Sequence, residues 1–108
     1  MEEHEFKDLN EYILCCLPTG WEIRFGEELF NDIKELCEKD KEFFLLDIKE
    51  KYGELEIYPS KYSEEFDSIE RRYNELSKIT CACCGAHATR HSSGWVLPLC
   101  DECFKFVS

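Results

Sequence analysis

Cys81-Ala82-Cys83-Cys84-Gly85, followed after fifteen residues by Cys100-Asp101-Glu102-Cys103, sets two cysteine pairs in the pattern C-x2-C-x15-C-x2-C near the end of a 108-residue chain. That spacing falls in the range of structural zinc sites. The reason is geometric: a tight turn in each pair aims two sulfurs at one centre about 2.3 Å away, and two such turns approaching from opposite sides complete a tetrahedron. Gly85 permits the backbone bend that presents amide hydrogens to the thiolates. The expected ligands are therefore Cys81, Cys84, Cys100 and Cys103, holding a structural Zn2+, although the ligand set alone does not choose between zinc and iron. Cys83, His87 and His91 are the neighbours that can replace one of the four. With four protein ligands the site is closed, so the ion is expected to stabilise the fold and not to activate water. Trp95-Val-Leu-Pro-Leu99 reads as a strand walling the metal, and Cys100 to Phe106 as the start of a short terminal helix. A zinc ribbon or treble clef is the expected local form.

The residues ahead of the cysteines differ in charge. Residues 1–79 carry 22 acidic and 11 basic side chains, whereas residues 80–108 carry two of each, so the formal charge of −11 belongs to the first part. This balance disfavours a general basic surface for a phosphate backbone. The aromatic content of 14% argues against disorder, and the length suits one domain. The expected organisation is an acidic α+β body over 1–79 with a zinc module over 80–108 packed on it as one folding unit.

Within the body, Leu9, Tyr12, Ile13, Cys16 and Leu17 recur with helical spacing and end at Pro18-Thr19-Gly20. Leu29, Phe30, Ile33, Leu36 and Cys37 repeat it over 27–39, with Glu27 and Glu28 where the helix dipole favours anions. The β-rich run Phe43 to Lys49 and the alternating Glu54 to Tyr58 predict a hairpin turning at Gly53 and ending at Pro59. Phe66, Ile69, Tyr73 and Leu76 mark a third helix over 63–78, acidic at its start through Glu64, Glu65, Asp67 and Glu70. Trp21, Phe30, Phe43, Phe44, Phe66 and Tyr73 are the expected core. Cys16 and Cys37 fall on apolar faces and read as small buried hydrophobes; neither they nor Cys15 has a basic neighbour that would mark a catalytic thiolate.

The acidic N-terminus MEEHEFKDLNEY, the absence of a long apolar run and the absence of a lipidation motif predict a soluble protein kept in a cytosol. In that compartment eight cysteines point to metal ligation and buried thiols over a disulfide scaffold. Two pairs in a tail also differ from the single C-x2-C of a thioredoxin-like centre. A zinc deaminase needs His-x-Glu ahead of Pro-Cys-x-x-Cys. Here a residue is inserted between Pro98 and Cys100, and His4-Glu5-Phe6 lacks the catalytic half. No phosphate loop, dinucleotide fingerprint, H-E-x-x-H or G-x-S-x-G occurs, so a non-enzymatic protein is expected.

Three segments taken together resemble a family of short proteins of bacteria and their phages. They are Gly20-Trp21 opening a helical region, Ile48-Lys49-Glu50-Lys51-Tyr52-Gly53 leading into Leu55-x-x-Tyr58, and the C-x2-C-Gly…Gly94-Trp95…Leu99-Cys100-Asp101-x-Cys103 tail. The resemblance spans residues 20–103, and its most specific element is Lys-Glu-Lys-Tyr-Gly combined with the paired cysteines. This chain has Glu56 where the pattern usually has a basic residue. The resemblance implies a cytosolic bacterial or phage setting and a zinc-stabilised α+β domain, without supplying an activity.

Lys49, Lys51 and Tyr52 read either as a charged hairpin turn or as contacts of a recognition loop. Two functions follow. In the first, the acidic face, with Glu64, Glu65 and Asp67, engages and neutralises a protein partner through its basic surface, as an inhibitor, immunity or anti-defence factor does. In the second, His87, Arg90, His91 and Trp95 form a local patch of a zinc ribbon that binds nucleic acid or the transcription machinery.

Overall fold

The computed structural model describes residues 17–92 and 96–107, with the side chain of Val107 left aside. The first expected helix, with Cys15 and Cys16, lies outside these residues apart from Leu17, which is buried. Gly94 and Trp95 lie outside them as well.

Helical structure begins earlier than the 27–39 periodicity suggests. A short helix α1 (Thr19–Trp21) passes through a π-helical turn (Glu22–Gly26) into α2 (Glu27–Lys39). Trp21, Phe25, Leu29 and Ile33 are all buried, four residues apart. On a regular helix such positions drift by about 40° per step. The wider π turn removes part of that drift and keeps Trp21 and Phe25 on the stripe that α2 continues.

The chain then forms a hairpin of β1 (Leu45–Lys51) and β2 (Glu54–Pro59), antiparallel with Ile48 opposite Ile57 and Lys51 opposite Glu54. Tyr52 and Gly53 both have positive φ, 53° and 83°. That is the requirement of the two-residue type I′ turn, whose twist matches the strands. Helix α3 (Glu64–Lys78) follows, capped by Ser63, whose side chain accepts from the Phe66 N–H at 3.1 Å.

α2, the hairpin and α3 close on one core. Phe25 meets Tyr73 at 5.6 Å between ring centroids and Phe43 meets Phe66 at 5.7 Å, with Leu29, Ile33, Ile48, Leu55 and Ile57 filling the rest. α3 also satisfies β2: the Leu55 N–H donates to Ser77 Oγ at 2.9 Å, and Asn74 Nδ2 donates to the Leu55 carbonyl at 3.0 Å. Those side chains take the place of a third strand at that edge.

Two expected core residues behave differently. Phe44 is 55% exposed, and Phe30 is only partly buried at the margin of the core. Phe44 extends the hairpin by pairing with Ser60, and successive side chains of an extended chain point to opposite faces, so with Phe43 buried its neighbour Phe44 turns outward.

The last part holds β3 (Arg90–His91), β4 (Pro98–Leu99), paired antiparallel, and α4 (Asp101–Val107). The expected strand from Trp95 is thus a two-residue strand among the described residues, and the terminal helix begins at Asp101. The molecule is a small α+β domain with an antiparallel hairpin and a C-terminal four-cysteine module of zinc-ribbon type.

Candidate metal centre

The first knuckle is a loop folded back on itself. The Gly85 N–H donates to the Cys81 carbonyl at 3.0 Å and the Cys81 N–H to the Ala86 carbonyl at 2.7 Å. Gly85 makes the bend possible with φ of 87°, in the region an L side chain rarely adopts. The second knuckle is built on the start of α4: the Cys103 N–H points at Cys100 Sγ, 3.4 Å away, and the Phe104 N–H donates to the Cys100 carbonyl. Cys100 and Cys103 therefore sit one helical turn apart.

Backbone bonds hold the two knuckles together. The Ala82 N–H donates to the Pro98 carbonyl at 2.8 Å and the Thr89 N–H to the Leu99 carbonyl at 2.8 Å. Asp101 Oδ1 accepts from Thr89 Oγ1 at 2.7 Å and from Arg90 Nε at 2.9 Å, tying the strand to the helix start.

The Sγ atoms of Cys81, Cys84, Cys100 and Cys103 converge, all within 4.8 Å of one another. Cys84 Sγ and Cys100 Sγ are 3.7 Å apart. A tetrahedron with metal–sulfur bonds of about 2.3 Å has edges of about 3.8 Å, whereas a disulfide brings its sulfurs to about 2.05 Å. The donor set thus fits a tetrahedral metal ion and not a pair of disulfides. Cys83, His87 and His91 are exposed and stand outside this group.

The electrostatics of Cys81, Cys84 and Cys103 fit a cation. At Cys81 burial favours the neutral thiol, but backbone hydrogen bonds from Cys100, Cys84 and Cys83 outweigh it and hold the group down at about 6. Cys103 is pushed well up, by burial first and then by the thiols of Cys100, Cys81 and Cys84. At Cys84 the Ala86 backbone pulls downward, and the Cys100 thiol together with burial raises the group above its ordinary value. The Cys81 thiolate forms readily, and Cys84 and Cys103 then resist ionisation; a dication at the centre removes that resistance.

The module is seated on the body by Gly20 and Trp21. The Gly20 N–H donates to the Ala82 carbonyl at 2.7 Å, and Trp21 Nε1 donates to the Thr80 carbonyl at 3.0 Å from a fully buried ring. A Cβ on Gly20 would lie 2.0 Å from the Cys81 carbonyl oxygen. The hairpin turn supports the other side, since a Cβ on Gly53 would lie 3.2 Å from the Val96 carbonyl oxygen and 3.4 Å from Pro98 Cδ. The Gly20-Trp21 pair and the Lys-Glu-Lys-Tyr-Gly turn are thereby explained as the supports of the metal module. Composition and spacing held no signal for this role.

The other residues singled out in the sequence are scattered. Lys49, Lys51 and Tyr52 are exposed at the hairpin, with Lys49 Nζ 5.2 Å from the Tyr58 ring centroid. Tyr52 is 78% exposed and holds a left-handed conformation that costs an L residue about 1–2 kcal/mol. Tyr52→Asn is therefore expected to stabilise the domain by about 1 kcal/mol, since Asn tolerates that region. Thermal melts check this, and an unchanged or lower midpoint contradicts it. Glu64, Glu65 and Asp67 are exposed on the first turn of α3, and Glu65 pairs with Lys39 at 3.0 Å. Cys37, expected to be buried, packs against the core but is only half-buried, like Phe30.

The fold and the four convergent thiols define the class: a small α+β domain with a candidate four-cysteine metal centre. Comparison with protein-family models, with curated proteins and with solved structures finds no match. Among the described residues no helix is long and apolar enough to cross a membrane.

Proposed function

We propose that this chain is a non-enzymatic, zinc-stabilised acidic domain that works in a bacterial or phage-infected cytosol. In this reading it binds and neutralises a protein partner through that partner's basic surface. The observation that carries the reading is a cleft of about 330 Å3 between β2 and α3, lined by Glu56, Asp67 and Glu70 together with Leu55, Arg71 and Asn74. Glu70 is raised above its ordinary value by partial burial first, then by the nearby Asp67 and Glu56. Like charges crowded in a recess gain from an incoming cation, and a lysine or arginine of a partner supplies one. The exposed Glu64, three residues before Asp67 on α3, adds to the negative field that speeds encounter with a basic surface.

Four thiolates fill a tetrahedral ion's coordination, which supports a structural role for zinc and a non-catalytic protein. The nucleic-acid reading loses its main cation. Arg90 is bound to Asp101 and lies over the Phe104 ring at 5.0 Å, while 22 acidic side chains crowd residues 1–79.

The test is capture of partners from bacterial lysate by the immobilised chain at low and at high salt, alongside the triple variant Glu56→Gln, Asp67→Asn, Glu70→Gln. A basic protein retained at low salt, released at high salt and lost by the variant is the expected result. Absence of any salt-sensitive basic partner, or equal capture by the variant, contradicts the proposal. Retention of nucleic acid in its place favours the other function.

A further inference from the structure

The metal module and the acidic cleft meet at the end of α3. Thr80, which directly precedes Cys81, is buried; its Oγ1 donates to the Leu76 carbonyl at 2.6 Å and its N–H to the Ser77 carbonyl at 3.4 Å. Its own carbonyl accepts from Trp21 Nε1 at 3.0 Å. Ser77, also buried, donates through Oγ to the Asn74 carbonyl at 2.6 Å and accepts from the Leu55 N–H at 2.9 Å. Asn74 Nδ2 then donates to the Leu55 carbonyl at 3.0 Å and to Glu54 Oε1 at 3.3 Å. Asn74 and Leu55 line the cleft, and Glu56 is the next residue of β2. A chain of hydrogen bonds therefore runs from the residue beside a metal ligand to the wall of the cleft. Thr80 and Ser77 are shut off from water, so a displaced Thr80 leaves polar groups that water does not readily satisfy.

We propose that the metal centre sets the shape of the acidic cleft through the last turn of α3, so that metal binding and partner binding strengthen each other. The proposal rests on the cleft reading of function and on the four-cysteine metal reading. With Cys81 fixed on the ion, Thr80 is held against Leu76 and Ser77 and the turn is closed. Ser77 and Asn74 then pin β2 at Leu55, which fixes Glu56 across the cleft from Asp67 and Glu70. When Cys81 is released, Thr80 leaves the turn and β2 is free to shift at Leu55. The element with two arrangements is thus the segment 77–80, and each ligand favours its closed form. Coupling between two binding sites is reciprocal, so a cation in the cleft tightens zinc by the factor with which zinc tightens the cation.

The experiment measures zinc affinity of the full chain by competition with a chromophoric chelator at low salt, with and without a saturating capped hexa-arginine peptide. Three variants run beside wild type: the triple cleft variant Glu56→Gln, Asp67→Asn, Glu70→Gln, and the two link variants Ser77→Ala and Thr80→Val. In wild type the peptide is expected to tighten zinc about tenfold. It should have no effect in the cleft variant and less than about a twofold effect in the link variants, which still bind both ligands. Wild-type zinc affinity that ignores a cleft-bound peptide overturns the proposal, as does a full effect in a folded link variant. Amide exchange of the zinc-loaded wild type supplies a reading that needs no variant: the peptide should slow exchange at Ile79 and Thr80, and unchanged exchange there overturns the coupling. Equal peptide binding by wild type and the cleft variant is a different result, the failure of the cleft reading itself. If wild type takes up no zinc, the four-cysteine reading fails and this one with it.

Discussion

Cys81→Ser is expected to abolish metal binding, unfold residues 80–107 and lower the stability of the whole domain. Among the described residues the strands of this module are two residues each, and its buried side chains are Thr80, Cys81, Ala82, Pro98 and Leu99, a small apolar core beside the backbone bonds that join the knuckles. Structural zinc binds peptide modules with about 10–16 kcal/mol, and whole domains are stable by about 5–15 kcal/mol. Loss of the ion is thus comparable with the entire stability. Serine keeps the shape of the side chain and removes the thiolate, and Cys81 is the one ligand that is fully buried. The loss reaches the body because Trp21 and Gly20 are bonded to the carbonyls of Thr80 and Ala82. Acid acts in the same direction as a chelator, since protons compete with the metal for the thiolates. Amide hydrogen exchange checks the expectation. Protection over 80–107 should vanish in the variant and in chelator-treated wild type and fall in α1, while Cys37→Ser changes little. Unaltered protection over 80–107 would contradict it.

Gly20→Ala is expected to destabilise the domain by about 2–3 kcal/mol even though alanine is the better helix former. The helical preference favours alanine by about 1 kcal/mol. Against it stand three backbone atoms: the new Cβ would meet the Cys81 oxygen at 2.0 Å, the Gly85 nitrogen at 2.6 Å and the Ala82 carbonyl carbon at 2.8 Å. No rotamer change relieves these contacts, so either the helix moves off the knuckle or the knuckle deforms. Either movement strains the Gly20–Ala82 hydrogen bond and displaces the Cys81 and Cys84 sulfurs. Denaturant unfolding and zinc competition should both show the loss. A variant as stable as wild type, with equal zinc affinity, would contradict the close seating of the module on α1.

Both predictions turn on a contact that the sequence did not disclose, although it disclosed the two partners separately. The paired cysteines were legible because ligand spacing reflects local turn geometry, and the four thiols meet as that spacing requires. The bounds of α3 were legible for a similar local reason, the helical spacing of Phe66, Ile69, Tyr73 and Leu76 behind an acidic first turn. Periodicity did not mark the helical structure over 19–26, because Pro18-Thr19-Gly20 reads as a stop; only the resemblance set Gly20-Trp21 at the opening of a helical region. Gly20 lies within α1 for the sake of an approach from residues sixty positions away. Phe43 and Phe44 are equally apolar, so composition alone does not say which of the two neighbours faces the core and which faces outward. The acidic cleft was equally invisible: Glu56 reads as an ordinary strand residue until packing brings β2 beside Asp67 and Glu70.

That four cysteines hold one metal ion as part of the fold is the central claim, and native mass spectrometry of the full chain purified with zinc present tests it most directly. The expected spectrum is the chain plus one zinc ion, less the displaced thiol protons, with Cys81→Ser giving the bare chain. A wild-type chain that is folded and metal-free under those conditions would contradict the claim.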